Sequence, residues 1–158
     1  MLLNRINKNI MKFEKVLVVV GLIVLIGTVF LAAVLRYFGI DMSISTDLAQ
    51  LVFAWTSFIG ASLAIRTNSH MGMDFIVNKL TPRSQSKVKI FCNLLMLLFL
   101  VIIIIYGFRL TFANLDRKYN TLGISYSFAT VSCPIGSLMM LTGTLNNLIN
   151  EIKKLGKE

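Results

Sequence analysis

Histidine is almost missing from this sequence: His70 is the single one. A membrane cytochrome needs histidines inside its spans to hold haem iron, and His70 falls between apolar runs, so that class is excluded. Cysteine is nearly as scarce. Cys92 and Cys133 are far apart and form no C-x-x-C pair, which argues against thiol–disulfide exchange and leaves them as small buried hydrophobes. No H-E-x-x-H and no glycine-rich phosphate loop occurs, and no span pairs a serine with a base. Acidic residues number only 7, and the long apolar runs carry no charge at their centres. Intramembrane ionisable groups mark ion pathways and proton relays, so their scarcity argues against a self-sufficient pump or exporter. These absences predict no enzyme, no cofactor and no resident metal.

What remains is apolar. The chain has 158 residues, 56% of them hydrophobic and only 15% charged, with a mean hydropathy of +0.76. A soluble domain carries about a quarter charged residues. The uncharged stretches 16–35, 48–65 and 90–108 contain 20, 18 and 19 residues, each about the length needed to cross the hydrocarbon core as a helix. A fourth span is placed at 128–145, where Pro134, Gly136 and Gly143 interrupt the apolar pattern. Proline is tolerated in such a helix because neighbours can satisfy the freed carbonyl. The first run is longer than a signal-peptide core and has no A-x-A site near Ala32-Ala33, so it reads as an uncleaved helix. The expectation is an all-α integral membrane protein: one four-span domain over residues 1–158, with short interfacial amphipathic helices.

The net charge of +9 would suggest nucleic acid in a soluble protein. Here its distribution gives another meaning. Arg5, Lys8, Lys12, Lys15, Arg66, Lys79, Arg83, Lys87, Lys89, Lys153, Lys154 and Lys157 fall on one side of a four-span layout, against Arg36, Arg109, Arg117 and Lys118 on the other. The positive-inside bias then predicts both termini in the cytoplasm, and the basic excess faces anionic lipid, with no nucleic-acid partner. Two segments on that side have amphipathic periodicity. Leu3, Ile6, Ile10 and Phe13 share one face at the N-terminus, and Met73, Ile76, Val77 and Leu80 share one within 71–80. Both are expected to lie in the membrane interface. In span two, Ser57/Ala61 and Gly60/Ala64 are small residues one turn apart, a pattern that admits a close helix neighbour.

The region around span two is the most distinctive. It runs Arg36-Tyr37, Asp47-Leu48-Ala49, Trp55, Gly60-Ala61, Ala64-Ile65-Arg66 and His70-Met71-Gly72-Met73-Asp74. In order and spacing this resembles the small membrane subunit of tripartite ATP-independent periplasmic (TRAP) transporters. The family's usual tryptophan and glutamates before span two are replaced here by Ile44-Ser45-Thr46-Asp47, which keeps one carboxylate. The resemblance implies an accessory scaffold subunit in the bacterial inner membrane, part of a sodium-driven importer of organic acids. It implies two protein partners, a large multi-span permease and a periplasmic solute-binding protein.

On that reading Arg36 and Asp47 flank an outward loop, where they could form a salt bridge or meet the periplasmic partner; Arg36 could equally snorkel to head groups. Trp55 is a candidate for interfacial anchoring, partner contact or ordinary packing. Gly60, Ala61 and Ala64 are candidates for helix contact. Arg66, His70 and Asp74 ring the other end of span two and are candidates to fix the 71–80 helix, His70 also reading as a plain surface residue. Two other functions compete: a stand-alone homo-oligomeric transporter, and an assembly subunit of some other membrane complex.

Overall fold

The computed structural model describes residues 2–67 and 82–155. It contains α1 (Leu2–Tyr37), α2 (Ser43–Arg66), α3 (Pro82–Ala113), a one-turn α4 (Ser127–Thr130) and α5 (Ser132–Leu155). Four helical stretches are long and apolar enough to cross a membrane: Ile10–Tyr37, Ser43–Arg66, Ser84–Ala113 and Ser127–Lys154. Each contains one of the four runs expected from sequence. The N-terminal segment does not form a separate surface helix, because α1 continues through it without a break. His70, Asp74 and the helix expected over 71–80 lie outside the described residues.

Local chemistry sets the element ends. At the end of α1, Gly39 adopts a φ of +77°, its N–H bonds to the Arg36 carbonyl, and the Ile40 N–H reaches back to the Leu35 carbonyl. This paired closure, with glycine in the left-handed position, satisfies the last carbonyls of the helix. Only a few residues then separate α1 from α2, so the two run antiparallel as neighbours. The fourth span breaks at Val131, between α4 and α5. Pro134 lies four residues beyond Thr130 and has no N–H to give its carbonyl, which explains an interruption at this level.

Extended contacts run from α1 to α2, from α2 to α5, and from α5 to α3. Among the described residues, then, the spans form an open row in which α2 and α5 are central and α1 and α3 are outermost. The burial pattern is inverted relative to a water-soluble protein. The interior holds Thr56, Ser62, Asn93, Ser132, Ser137, Thr144 and Asn147, while Ile23, Phe30, Leu98, Phe99 and Ile105 point outward. In lipid, apolar side chains lose nothing by facing out; small and polar residues bring helices together and bond across them.

Glycines mark the closest approaches. A Cβ at Gly136 would lie 2.5 Å from Phe58 Cβ, and one at Gly107 would lie 3.1 Å from Pro134 Cδ. Gly21 faces Thr56 Oγ1 at a distance no Cβ would permit. Ser57/Ala61 and Gly60/Ala64 of span two were expected to admit a close helix neighbour. Within the chain the close contacts of α2 use glycines of its neighbours: Gly21 from α1, and Gly136 and Gly143 from α5. A Cβ at Gly60 would meet only Val18 Cγ2, at 3.9 Å; Ala61 is half-buried and Ala64 is exposed.

Candidate functional site

The polar side chains of α2 gather at its two ends, and each end holds another part of the chain. At the Arg66 end, α1 contributes Glu14, the one buried residue among those of α1 whose side chains are described. Ser62 Oγ donates to Glu14 Oε1 at 2.9 Å, and Arg66 Nε donates to the same oxygen at 3.1 Å. Arg66 Nη2 continues into α5, donating to the Met139 carbonyl at 3.0 Å and to Thr142 Oγ1 at 2.5 Å. Asn147 Nδ2 donates to the Ile65 carbonyl at 2.9 Å. Gly143 makes room for this junction, since a Cβ there would lie 3.1 Å from Arg66 Cγ.

One guanidinium thus joins three helices. Arg66 and Glu14 are 3% and 0% exposed at their side chains, so little water screens the pair and each ion depends on the other. Glu14 Oε2 is buried with no hydrogen-bond partner. Planar geometry explains why arginine serves here: its fork addresses a carboxylate on one side and α5 acceptors on the other. Arg66 therefore turns into the row of helices. Glu14 was not foreseen from sequence, although a signal existed. It is the only acid in a segment carrying Arg5, Lys8, Lys12 and Lys15, and an acid retained at the edge of a span calls for a partner.

At the other end, Asp47 lies in the second turn of α2. Its Oδ2 accepts from Thr121 N at 2.9 Å, Thr121 Oγ1 at 2.5 Å and Leu122 N at 3.4 Å. These bonds clip the 114–126 loop onto α2. The loop has its own framework: a bridge between Lys118 and Ser125, a left-handed Gly123 at φ +67°, and Arg117 over the Tyr126 ring at 4.6 Å. Tyr119 packs against Tyr126 with ring centroids 4.9 Å apart. Burial, and secondarily the neighbouring Tyr126, pushes its phenol above the usual range, so it stays protonated at neutral pH. Of the alternatives for Arg36 and Asp47, a salt bridge between them is absent among the described residues; Arg36 is exposed and the Asp47 carboxylate is occupied by the loop.

Trp55 Nε1 donates to the Phe128 carbonyl at 2.9 Å, tying α2 to the start of the fourth span. Its ring also lines an apolar groove of about 650 Å³ with Leu17, Val20 and Ile59. Cys92 and Cys133 are both free thiols. Among the described residues, no cluster of His, Cys, Asp and Glu is placed to hold a metal. Among the described residues the interior therefore offers hydrogen bonds between helices and the Arg66–Glu14 ion pair near a span end.

The Asp47 clip makes a measurable prediction. In Asp47→Ala three donors lose their acceptor, so amides of the 114–126 loop should exchange with solvent several-fold faster while α3 and α5 stay protected. Unchanged exchange at Thr121 and Leu122 would show that the loop holds itself.

Comparison with known proteins agrees with this architecture. The family described as "Tripartite ATP-independent periplasmic transporters, DctQ component" matches residues 25–154. The Vibrio cholerae sialic acid TRAP transporter small permease protein SiaQ is 27% identical over 154 residues, which is 97% of this chain and 89% of the relative. The Haemophilus influenzae sialic acid TRAP transporter permease protein SiaT is 28% identical over 98 residues, 61% of this chain but 16% of that protein. The family match runs from the second half of α1 through α5, and the chain belongs to the small-subunit family of TRAP transporters, proteins of the bacterial inner membrane.

Proposed function

We propose that this chain is a non-transporting scaffold subunit, which widens the membrane footprint of a large permease in a sodium-driven importer of carboxylated solutes. The observation that carries the reading is the interior of the row. Among the described residues its middle buries uncharged Ser, Thr and Asn side chains, and the Arg66–Glu14 pair lies near a span end and is consumed in fastening α1, α2 and α5. Binding a carboxylate or sodium at mid-membrane generally uses broken helices, unwound carbonyls or buried ionisable groups. The interruption at Val131 has no charged residue beside it in sequence.

The alignment with a small fraction of the SiaT permease supports a large permease as partner, since sequence of this type also occurs within a much longer chain. A soluble periplasmic binding protein is the third component of this proposal, and solute selectivity resides in it and in the permease. The twelve-to-four asymmetry of basic residues supports an orientation with both termini in the cytoplasm. Fusions at Lys15 and Glu158 to a reporter active only in the periplasm should stay silent; activity at either would reverse the topology.

Reconstitution tests the central reading. In liposomes with a sodium gradient and the matching binding protein, the chain alone should give no saturable uptake, and adding the permease should restore it. Saturable uptake by the chain alone would replace the scaffold with a stand-alone transporter.

A further inference from the structure

We propose that the cleft between the end of α1 and the start of α2 is a binding site for one aminophospholipid of the phosphatidylethanolamine type. Two chambers make up this cleft. The first, about 530 Å³, lies at the helix ends and is lined by Arg36, Asp41, Ser43, Ser45 and Thr46 among others. The second, about 380 Å³, is lined by Leu25, Val29, Ala49, Gln50 and Phe53 among others. Ala32, Ser45 and Thr46 line both chambers, so the two adjoin across a thin wall. The result is a polar mouth at a span end leading into an apolar furrow at the depth of acyl chains, the division of a glycerophospholipid.

The polar mouth carries groups that can take a ligand. Ser45 is only 5% exposed, lies in the wall between the chambers, and its hydroxyl makes no hydrogen bond among the described residues. Its oxygen is not among the fully enclosed unpartnered atoms, so it is accessible to a ligand oxygen. Met42, the residue before α2, makes no side-chain cap, so the first N–H groups of the helix have no side-chain acceptor. Arg36 makes no ion pair among the described residues, and Asp41 accepts only a long 3.3 Å hydrogen bond from Ser43.

One unpaired cation, one unpaired anion and hydroxyl donors between them match a headgroup containing both a phosphate and a primary ammonium. Arg36, Ser45 and Thr46 would take the phosphate and Asp41 the ammonium, with an acyl chain along Leu25, Val29 and Phe53. A free carboxylated solute would leave the apolar chamber empty, so the combination selects lipid. This site is independent of the transport reading, requiring only that the chain lie in a bilayer.

The test uses the full complex purified in mild detergent. Phosphatidylethanolamine, phosphatidylcholine, phosphatidylglycerol or acyl-free glycerophosphoethanolamine is added, and lipid retained after size exclusion is counted by native mass spectrometry. Wild type should retain phosphatidylethanolamine most, because a trimethylated ammonium cannot donate to Asp41 and glycerol carries no cation. Arg36→Gln should cut that retention about tenfold or more, the scale of one charge-assisted hydrogen bond. Asp41→Asn should erase the preference over phosphatidylcholine, and Ala49→Phe should obstruct the acyl chamber and lower retention of every lipid. The wild-type ranking stands as a test even if a variant folds poorly. Equal retention of phosphatidylcholine, equal retention of the acyl-free headgroup, or full retention by a folded Arg36→Gln variant would each overturn the proposal.

Discussion

Arg66→Leu should destabilise the chain by about 3–5 kcal/mol, the cost of removing one partner from a buried ion pair. The substitution leaves Glu14 with a single hydroxyl donor, Ser62, inside a packed junction. It also frees the Met139 carbonyl and Thr142 from their shared donor, although Thr142 still bonds to Met139 at 2.7 Å. Because Glu14 is the one buried residue of α1 among those described, the expected lesion is specific: α1 loosens from α2 while α5 and α3 stay packed. Melting of the detergent-solubilised chain, followed by fluorescence-detected size exclusion, reads the loss. The double variant Glu14→Leu/Arg66→Leu should recover most of the stability, since apolar replacement of both ions removes the uncompensated charge. A single variant as stable as wild type, or a double no better than the single, would mean the pair does not hold α1. Arg66→Lys should be intermediate, because one ammonium cannot reach both the Glu14 carboxylate and the α5 acceptors with the fixed fork it replaces.

The contrast between Glu14 and the spans explains which parts of this protein are legible from sequence. Span number and position follow from uncharged runs whose length matches the hydrocarbon core, a property of one segment at a time. So does the apolar exterior of α1 and α3. The lateral order α1–α2–α5–α3 is a property of pairs, and nothing in a single segment states that α2 packs against α5 and not α3. For this reason Arg66 could be placed at a span end but not given its partners, which come from residues 52 and more than 70 positions away. Asp47 was legible as a charge at the edge of span two, while its attachment to Thr121 depends on a loop that the alternation of apolar runs does not describe. The small residues illustrate the same limit within the chain. Gly60 and Ala64 share a helix face, but a close contact is decided by what the other helix brings, and there the glycines of α1 and α5 do the accommodating.

Gly136→Ala should therefore damage the fold of the isolated chain, whereas Ala64→Leu should not. A Cβ on Gly136 would stand 2.5 Å from Phe58 Cβ, 3.2 Å from its Cγ and 3.4 Å from its backbone carbonyl carbon. These atoms belong to the root of the Phe58 side chain and to the α2 backbone, so no rotamer change clears the space and the central pair α2–α5 must separate. Overpacking of this kind costs about 1–3 kcal/mol for one methyl. Leucine at the same place should leave little monodisperse protein. Ala64 is exposed, and a leucine there meets only what lies outside the chain. The Ala64→Leu variant should melt with wild type when purified alone and should lose the permease when the two are co-expressed and co-purified, if this face of α2 meets the permease. Wild-type melting of Gly136→Ala would show that α2 and α5 are less tightly joined than their geometry requires. Full permease recovery with Ala64→Leu would move the docking surface away from this face, to the apolar flanks of α1 or α3.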